Sequence, residues 1–323
     1  MPKKNQNIEN QQGGRYINPF TDFGFKKIFG EEPNKDLLID FLNELLREQH
    51  VHIQKLDYKK TEHLGASDID RKVVFDLYCE NENGEKFIIE MQKAKQTFFK
   101  DRTLYYSTFP IQEQAIKGRE WNYELKAVFA VALLDFTFDD DAKNNTFVNR
   151  IQMIDKENCT VFYDKLTYVF IQIPNFNKSI DELENRLDQW LYVLKNLDKF
   201  ERIPEKIKDK IFQKIFKIAE YQSLNKDERQ AYEDSLKYYR DLKNSLDTAE
   251  LDGYNKAEKE LIPLLKAAEA EIVKERNEKE TAQNQAKEAM IKLVKLLNKS
   301  GFSIEDIQKE TGLSIEEIKK IVK

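Results

Sequence analysis

The stretch Val73–Lys93, VVFDLYCENENGEKFIIEMQK, decides how this 323-residue chain is read. Two alternating apolar segments flank Asn83-Gly84, the strongest short-range signal for a β-hairpin. A two-residue loop there pairs Leu77 with Glu90 and puts the two apolar series on opposite faces. A three-residue loop, Glu82-Asn83-Gly84 with Gly84 left-handed, pairs Asp76 with Glu90 instead. In that register Val73, Phe75, Leu77, Cys79, Phe87, Ile89 and Met91 share one face, and Val74, Asp76, Tyr78, Ile88, Glu90 and Gln92 share the other. A one-residue slip turns every side chain over, so the unbroken apolar face selects the three-residue loop. Asp76 and Glu90 are then cross-strand neighbours, roughly 5 Å apart at Cβ. Carboxylates that close repel each other unless one keeps its proton or a cation lies between them.

Composition narrows the field. With 34% charged and 40% hydrophobic residues the chain is soluble and helix-leaning, and at this length it holds more than one folded unit. Its net charge of −5 means that any nucleic-acid contact must come from a local basic surface. The opening MPKKNQNIENQQGG has no apolar run to make it a signal or an anchor, and no stretch approaches the ~20 apolar residues of a membrane span. Cytoplasm is the expected location. Cys79 and Cys159 fall in apolar, strand-like segments that predict buried thiols, not a disulfide framework or a cysteine-ligated zinc site. His50, His52 and His63 are the three histidines, and their spacing gives no convergent metal set.

In chain order, residues 1–14 read as a disordered polar lead. In RYINPFTDFGFKKIFG, Asp22 is a candidate cap for a short helix bearing Phe25, Ile28 and Phe29 on one face. An amphipathic helix over Asn34–Gln49 and an edge strand over Val51–Leu64 precede the hairpin. A helix over Thr97–Lys117 follows it, interrupted at Pro110. The run Leu125–Phe136 is apolar enough for a strand covered on both faces, and Cys159–Pro174 holds two shorter strand-like pieces. From Ser179, with Glu182 three residues on as a capping box, the chain turns helical, with amphipathic helices over 179–197, 204–221 and 226–247. Gly253 opens a charged helix over 254–299 whose interrupted apolar seam (Leu261, Leu265, Ile272, Met290, Leu293, Leu297) offers a surface for self-association. Ser303 and Ser314 cap two closing helices joined at Thr311-Gly312. They resemble a helix-turn-helix, although Ser-Ile-Glu-Glu at the second helix start would present acids to a polyanion, which favours packing or oligomerisation.

Asp76, Glu90 and Gln92 form an Asp…Glu-x-Gln constellation, with the Met91 carbonyl as a further oxygen donor. Such a set suits Mg²⁺, which takes one or two carboxylates and fills its octahedron with water and phosphate oxygens. A metal there can activate water against a phosphodiester, with Gln92 orienting the water. Acids at a solvated sheet edge, paired with lysines, are the competing reading.

TDFGFKKIFG, the FDLYCENENGEKFIIEMQ hairpin and FFKDRTLYYS together resemble the recombination-promoting nuclease / putative transposase family of the PD-(D/E)XK nuclease superfamily. The motifs span roughly residues 16–175. The resemblance implies an α/β fold: a restriction-endonuclease-like core with a mixed central sheet flanked by helices, followed by an all-α C-terminal extension. The expected divisions are 1–14, a core over 15–176, a helical subdomain over 177–252, the charged helix over 253–299 and the hairpin over 300–323. The resemblance further implies metal ligation by Asp76 and Glu90, and supporting or DNA-contacting roles for Asp22, Lys26, Arg102, Tyr105 and Tyr106. Gln92 stands where the superfamily usually carries lysine, replacing a cation by a neutral amide. The expected function is a Mg²⁺-dependent DNA endonuclease associated with recombination or mobile elements. The alternatives are a transposition-associated DNA-binding protein with little cleavage, and an assembly protein that forms homo-oligomers through its helical tail.

Overall fold

At the hairpin tip the Asn81 amide donates to the Glu85 carbonyl at 3.1 Å, leaving Glu82-Asn83-Gly84 as a three-residue loop. Gly84 adopts φ +78°, the left-handed conformation that only glycine enters without cost. The computed structural model describes residues 14–63, 73–115, 121–138 and 146–322; the polar lead over 1–13, Leu64 and Lys117 lie outside them. Its strands are β1 (Leu56–Tyr58), β2 (Glu62–His63), β3 (Val73–Val74), β4 (Leu77–Asn81), β5 (Lys86–Gln92), β6 (Val128–Leu134), β7 (Val148–Asp155) and β8 (Thr160–Gln172). Its α-helices are α1 (Asp22–Phe29), α2 (Lys35–Leu45), α3 (Phe99–Gln112), α4 (Arg186–Asn196), α5 (Lys210–Ala219), α6 (Lys226–Lys299), α7 (Ile304–Thr311) and α8 (Ile315–Val322).

Six strands form one mixed sheet in the order β1-β4-β5-β6-β8-β7, while β2 and β3 form a separate ribbon. β5 pairs in parallel with β6, and α3 makes the crossover between them. β6 is central and buried along its whole length, as its unbroken apolar run predicts. One face of the sheet (Leu77, Phe87, Ile89, Phe129, Val131 and Val169 among others) packs with residues of α1, α2, α4 and α5 in the main core. Trp190 is wholly buried there, its indole N–H donating to Asp40 at 2.7 Å. The opposite face, with Ile88, Ala132 and Phe170, packs beneath α3.

The fold is the expected α/β core with helical extension, with local departures. The alternation read through Val73–Asn81 breaks at Asp76: Val73 and Phe75 join Tyr78 and Ile88 on the α3 side instead of sharing the face of Leu77 and Cys79. The Phe75 amide donates to Thr61, so the chain before Asp76 has left the main sheet for the ribbon. Thr21, not Asp22, caps α1, accepting from the Gly24 amide at 3.0 Å. The Ser179–Glu182 capping box is present but closes a single 3-10 turn; α4 starts at Arg186 under an Asn185 cap. β7 carries little alternation in sequence, and Cys159 sits exposed at the β7–β8 turn with φ +54° instead of buried in a strand.

The chain divides into two compact units, the first ending at Leu246 and the second beginning at Asp247. In the first, α4, α5 and the start of α6 (Tyr232, Leu236) contribute to the same core as the sheet. α6 runs unbroken through Gly253 and Pro263, where two helices were expected. In the second unit, Val294, Ile307 and Ile318 form a small core. Ser303 caps α7, and Gly312 at φ +71° turns the chain into α8. Among the described residues no helix is long and apolar enough to cross a membrane.

Candidate active site

The ladder between β4 and β5 pairs Leu77 with Ile89 and Cys79 with Phe87, which carries Asp76 opposite Glu90. Extended by two residues, the same ladder would take the Met91 amide to the Phe75 carbonyl. Instead the Asp76 carboxylate captures that amide, Oδ2 accepting at 2.8 Å. Glu90 Oε1 in turn accepts from the Asp76 amide at 3.3 Å. Each carboxylate therefore ties the opposite strand's backbone at the point where the strands separate. Met91 N–H and C=O point to the same side of β5, so the carbonyl also faces this gap. Asp76 Oδ1 and Glu90 Oε2 accept no hydrogen bond among the described residues.

Burial raises the proton affinity of both acids. Glu90 is pushed up to about 8, first by burial and then by the charge of Asp76, against the pull of the Asp76 amide and Arg102. Asp76 is also raised by burial, with Asp22 adding to the rise and the Met91 amide, Lys26 and Lys93 opposing it. Two part-buried acids that hold a proton in this way lack sufficient counter-charge for both to ionise.

A cavity of about 500 Å³ opens beside Asp76, lined among others by Asp22, Lys26, Tyr58, Tyr78 and Ser235. α1 delivers Asp22 and Lys26 to it. Phe25, Ile28 and Phe29 bury the other face of that helix, and Lys26 pairs with Asp22 at 3.0 Å. Gly24 lets α1 press against the preceding turn, since a Cβ there would lie 2.1 Å from the Asn18 carbonyl oxygen.

On the α3 side, Glu90 shares a small hollow with Phe99, Arg102 and Tyr106. The Arg102 guanidinium sits 5.7 Å from the centroids of both the Phe99 and Tyr106 rings. It also donates to the Gln92 side-chain oxygen and, at 2.7 Å, to Gln96. The Gln92 amide nitrogen donates to the Ala94 carbonyl at 2.9 Å, so both ends of this side chain are held by protein. Burial raises the Tyr106 phenol, with Arg102 opposing and Glu90 and Asp76 adding to the rise. Tyr105 lies at the outer edge, 46% exposed, edge-on to Phe109 and with its ring centroid 6.5 Å from that of Tyr106.

One residue escaped the sequence reading. Strict alternation turns Lys93 away from Glu90, but β5 ends at Gln92, and the released Lys93 lies in the field of Asp22 and Asp76. Burial lowers its pKa, the two acids oppose that, and Lys26 reinforces it. Its ammonium also lies 5.3 Å from the Tyr238 ring centroid. The only sequence signal was a lysine directly after Glu-Met-Gln.

The sequence matches the PD-(D/E)XK nuclease family transposase description over residues 19–249. The chain belongs to that family. Comparison with curated proteins and with solved structures returned no match. The matched span runs from just before α1 through the sheet and on into α6, so the family unit includes the helices after the sheet. Membership assigns the protein to a nuclease and transposase-like class, whose nucleases use divalent metal ions to act on DNA. The donors here are hard oxygens. Among the described residues no three His, Cys, Asp or Glu side chains converge; the oxygens at this gap are those of the two carboxylates and the Met91 carbonyl, a donor type that suits a hard cation.

Proposed function

We propose that this protein is a metal-dependent DNA endonuclease that hydrolyses phosphodiester bonds in recombination or in the movement of mobile elements. The reading rests on the Asp76–Glu90 pair, two part-buried acids short of counter-charge where β4 and β5 separate. Asp76, Glu90 and the Met91 carbonyl would hold Mg²⁺. When bound, Mg²⁺ supplies positive charge against the phosphoryl oxygens and promotes ionisation of the attacking water. Lys93 and Lys26 place cationic charge on the Asp76 side. Arg102 supplies charge from the α3 side and fixes Gln92, while the Tyr106 ring supports the guanidinium. Asp22 holds Lys26 at the cavity.

The test is nicking of supercoiled plasmid by the full chain in Mg²⁺ and in EDTA, with calorimetric Mg²⁺ titration in the absence of DNA. Asp76→Ala and Glu90→Ala should each lower cleavage at least about a hundredfold and remove the calorimetric signal. Wild-type cleavage by both variants would show that the site lies elsewhere. A second reading, a transposition-associated DNA-binding protein with little cleavage, draws on the full engagement of Gln92. It predicts salt-sensitive DNA binding that survives loss of both acids, without metal-dependent nicking.

A further inference from the structure

A second groove, of about 990 Å³, borders α1 and α5. Lys27 and Glu31 line both this groove and the cavity beside Asp76, so the two adjoin. α5 buries Phe212, Ile215, Phe216 and Ala219, and that stripe forces Lys210, Lys214 and Lys217 to the opposite side. Among the described residues Lys27, Lys208, Lys210, Lys214 and Lys217 line the groove, against two acids, Glu31 and Glu228. In a chain of net charge −5 this cationic excess is local.

Some of these lysines are neutralised. Lys27 pairs with Glu31 and Glu228, Lys208 with Glu205, and Lys214 with Asp36. Lys210 and Lys217 are exposed and have no carboxylate partner among the described residues. Like charges spaced three and four residues apart on a helix weaken it, so the row is not explained by the stability of α5. Among the described residues no aromatic ring lines the groove, which leaves it without the stacking surface that unpaired bases use. Lysines without aromatics suit phosphate contacts, which position a duplex without reading its sequence. Seven residues of helix rise about 10 Å, roughly three phosphates of axial rise along one strand.

We propose that this groove is a track for the backbone of duplex DNA leading away from the Asp76–Glu90 site, with Lys210 and Lys217 as its phosphate contacts. The assignment rests on the nuclease reading for the identity of the polyanion.

The experiment is fluorescence anisotropy of a random-sequence duplex with the full chain in EDTA, repeated across a salt series, beside the plasmid assay. Lys210→Ala/Lys217→Ala should weaken binding about tenfold and reduce the log–log salt slope by about two, one for each lysine. Lys210→Glu/Lys217→Glu should weaken it further, while Lys55→Ala/Lys156→Ala, a charge-matched pair outside the groove, should keep the wild-type slope. Circular dichroism and thermal melting establish that each variant is folded. Wild-type affinity and slope in both folded groove variants would overturn the track, as would an equal loss in the control pair or no duplex binding by the wild type. If Asp76→Ala abolishes cleavage while the groove variants bind normally, the nuclease reading stands and the track falls. If the groove variants lose binding and no preparation cuts plasmid, the track stands and the nuclease reading falls.

Discussion

Replacing Glu90 by glutamine should make the protein more stable, by an amount that grows with pH. Folding raises Glu90 from an ordinary 4.5 to about 8, so the native state binds this proton more tightly than the unfolded chain does. Stability therefore falls as pH climbs from about 4.5 towards about 8, and levels off above that. One pH unit corresponds to about 1.4 kcal/mol, and pH 7 lies about 2.5 units into the window, for an upper bound of about 3 kcal/mol. Glu90→Gln removes this penalty, and its side-chain oxygen can still accept from the Asp76 amide. With relaxation allowed for, a gain of about 2 kcal/mol at pH 7 is expected, a rise in Tm of roughly 4–8 °C for a unit of this size. Urea unfolding of wild type and variant in EDTA, at several pH values from 5 to 8, measures it. Added Mg²⁺ should raise the wild-type Tm and leave the variant almost unmoved. A stability gap that is flat across this range, or a variant less stable than wild type at pH 8, refutes the reasoning.

Three further outcomes follow from the same geometry. Gly24→Ala drives a Cβ into the Asn18 carbonyl, backbone against backbone, and should cost about 3 kcal/mol, read as a lower urea midpoint at unchanged m. Gln92→Lys, which restores the superfamily residue by name, sets an ammonium against Arg102 and removes the oxygen that Arg102 uses; plasmid cleavage should fall about tenfold instead of rising. Truncation after Asp252 removes Leu261, Leu265 and Ile272, each more than half exposed on α6. Sedimentation velocity should show an oligomer for the full chain and a monomer for the 1–252 fragment.

The hairpin register was legible because the turn residues admit a loop of two or three residues and the shared apolar face of Leu77, Cys79, Phe87, Ile89 and Met91 fits only the longer one. β6 was legible because burial on both faces leaves a continuous apolar signature. The break at Asp76 was not legible: it depends on a side chain taking the hydrogen bond of a backbone carbonyl, and hydrophobic alternation carries no trace of that exchange. Lys93 was hidden for the same reason, since alternation describes a residue only while its strand lasts. β7 was missed because it is half-solvated along its whole length, which erases the period of two. Asp22, Lys26, Arg102 and Tyr106 were named from resemblance to a family, and only the three-dimensional arrangement separates Tyr106, in the field of the acids, from its neighbour Tyr105.

The tip of the hairpin works as a ruler. Glu82-Asn83-Gly84 lies far along the ribbon from the acids, yet its length determines that residue 76 faces residue 90. Exposed loop tips are ordinarily where chains absorb inserted or deleted residues. Here one residue more or less would turn Asp76 and Glu90 to opposite sides of the sheet without altering any side chain at the site. Gly84 and Glu82 apart, side chains can change at this tip while its length cannot, so related chains of different overall length should place their insertions elsewhere.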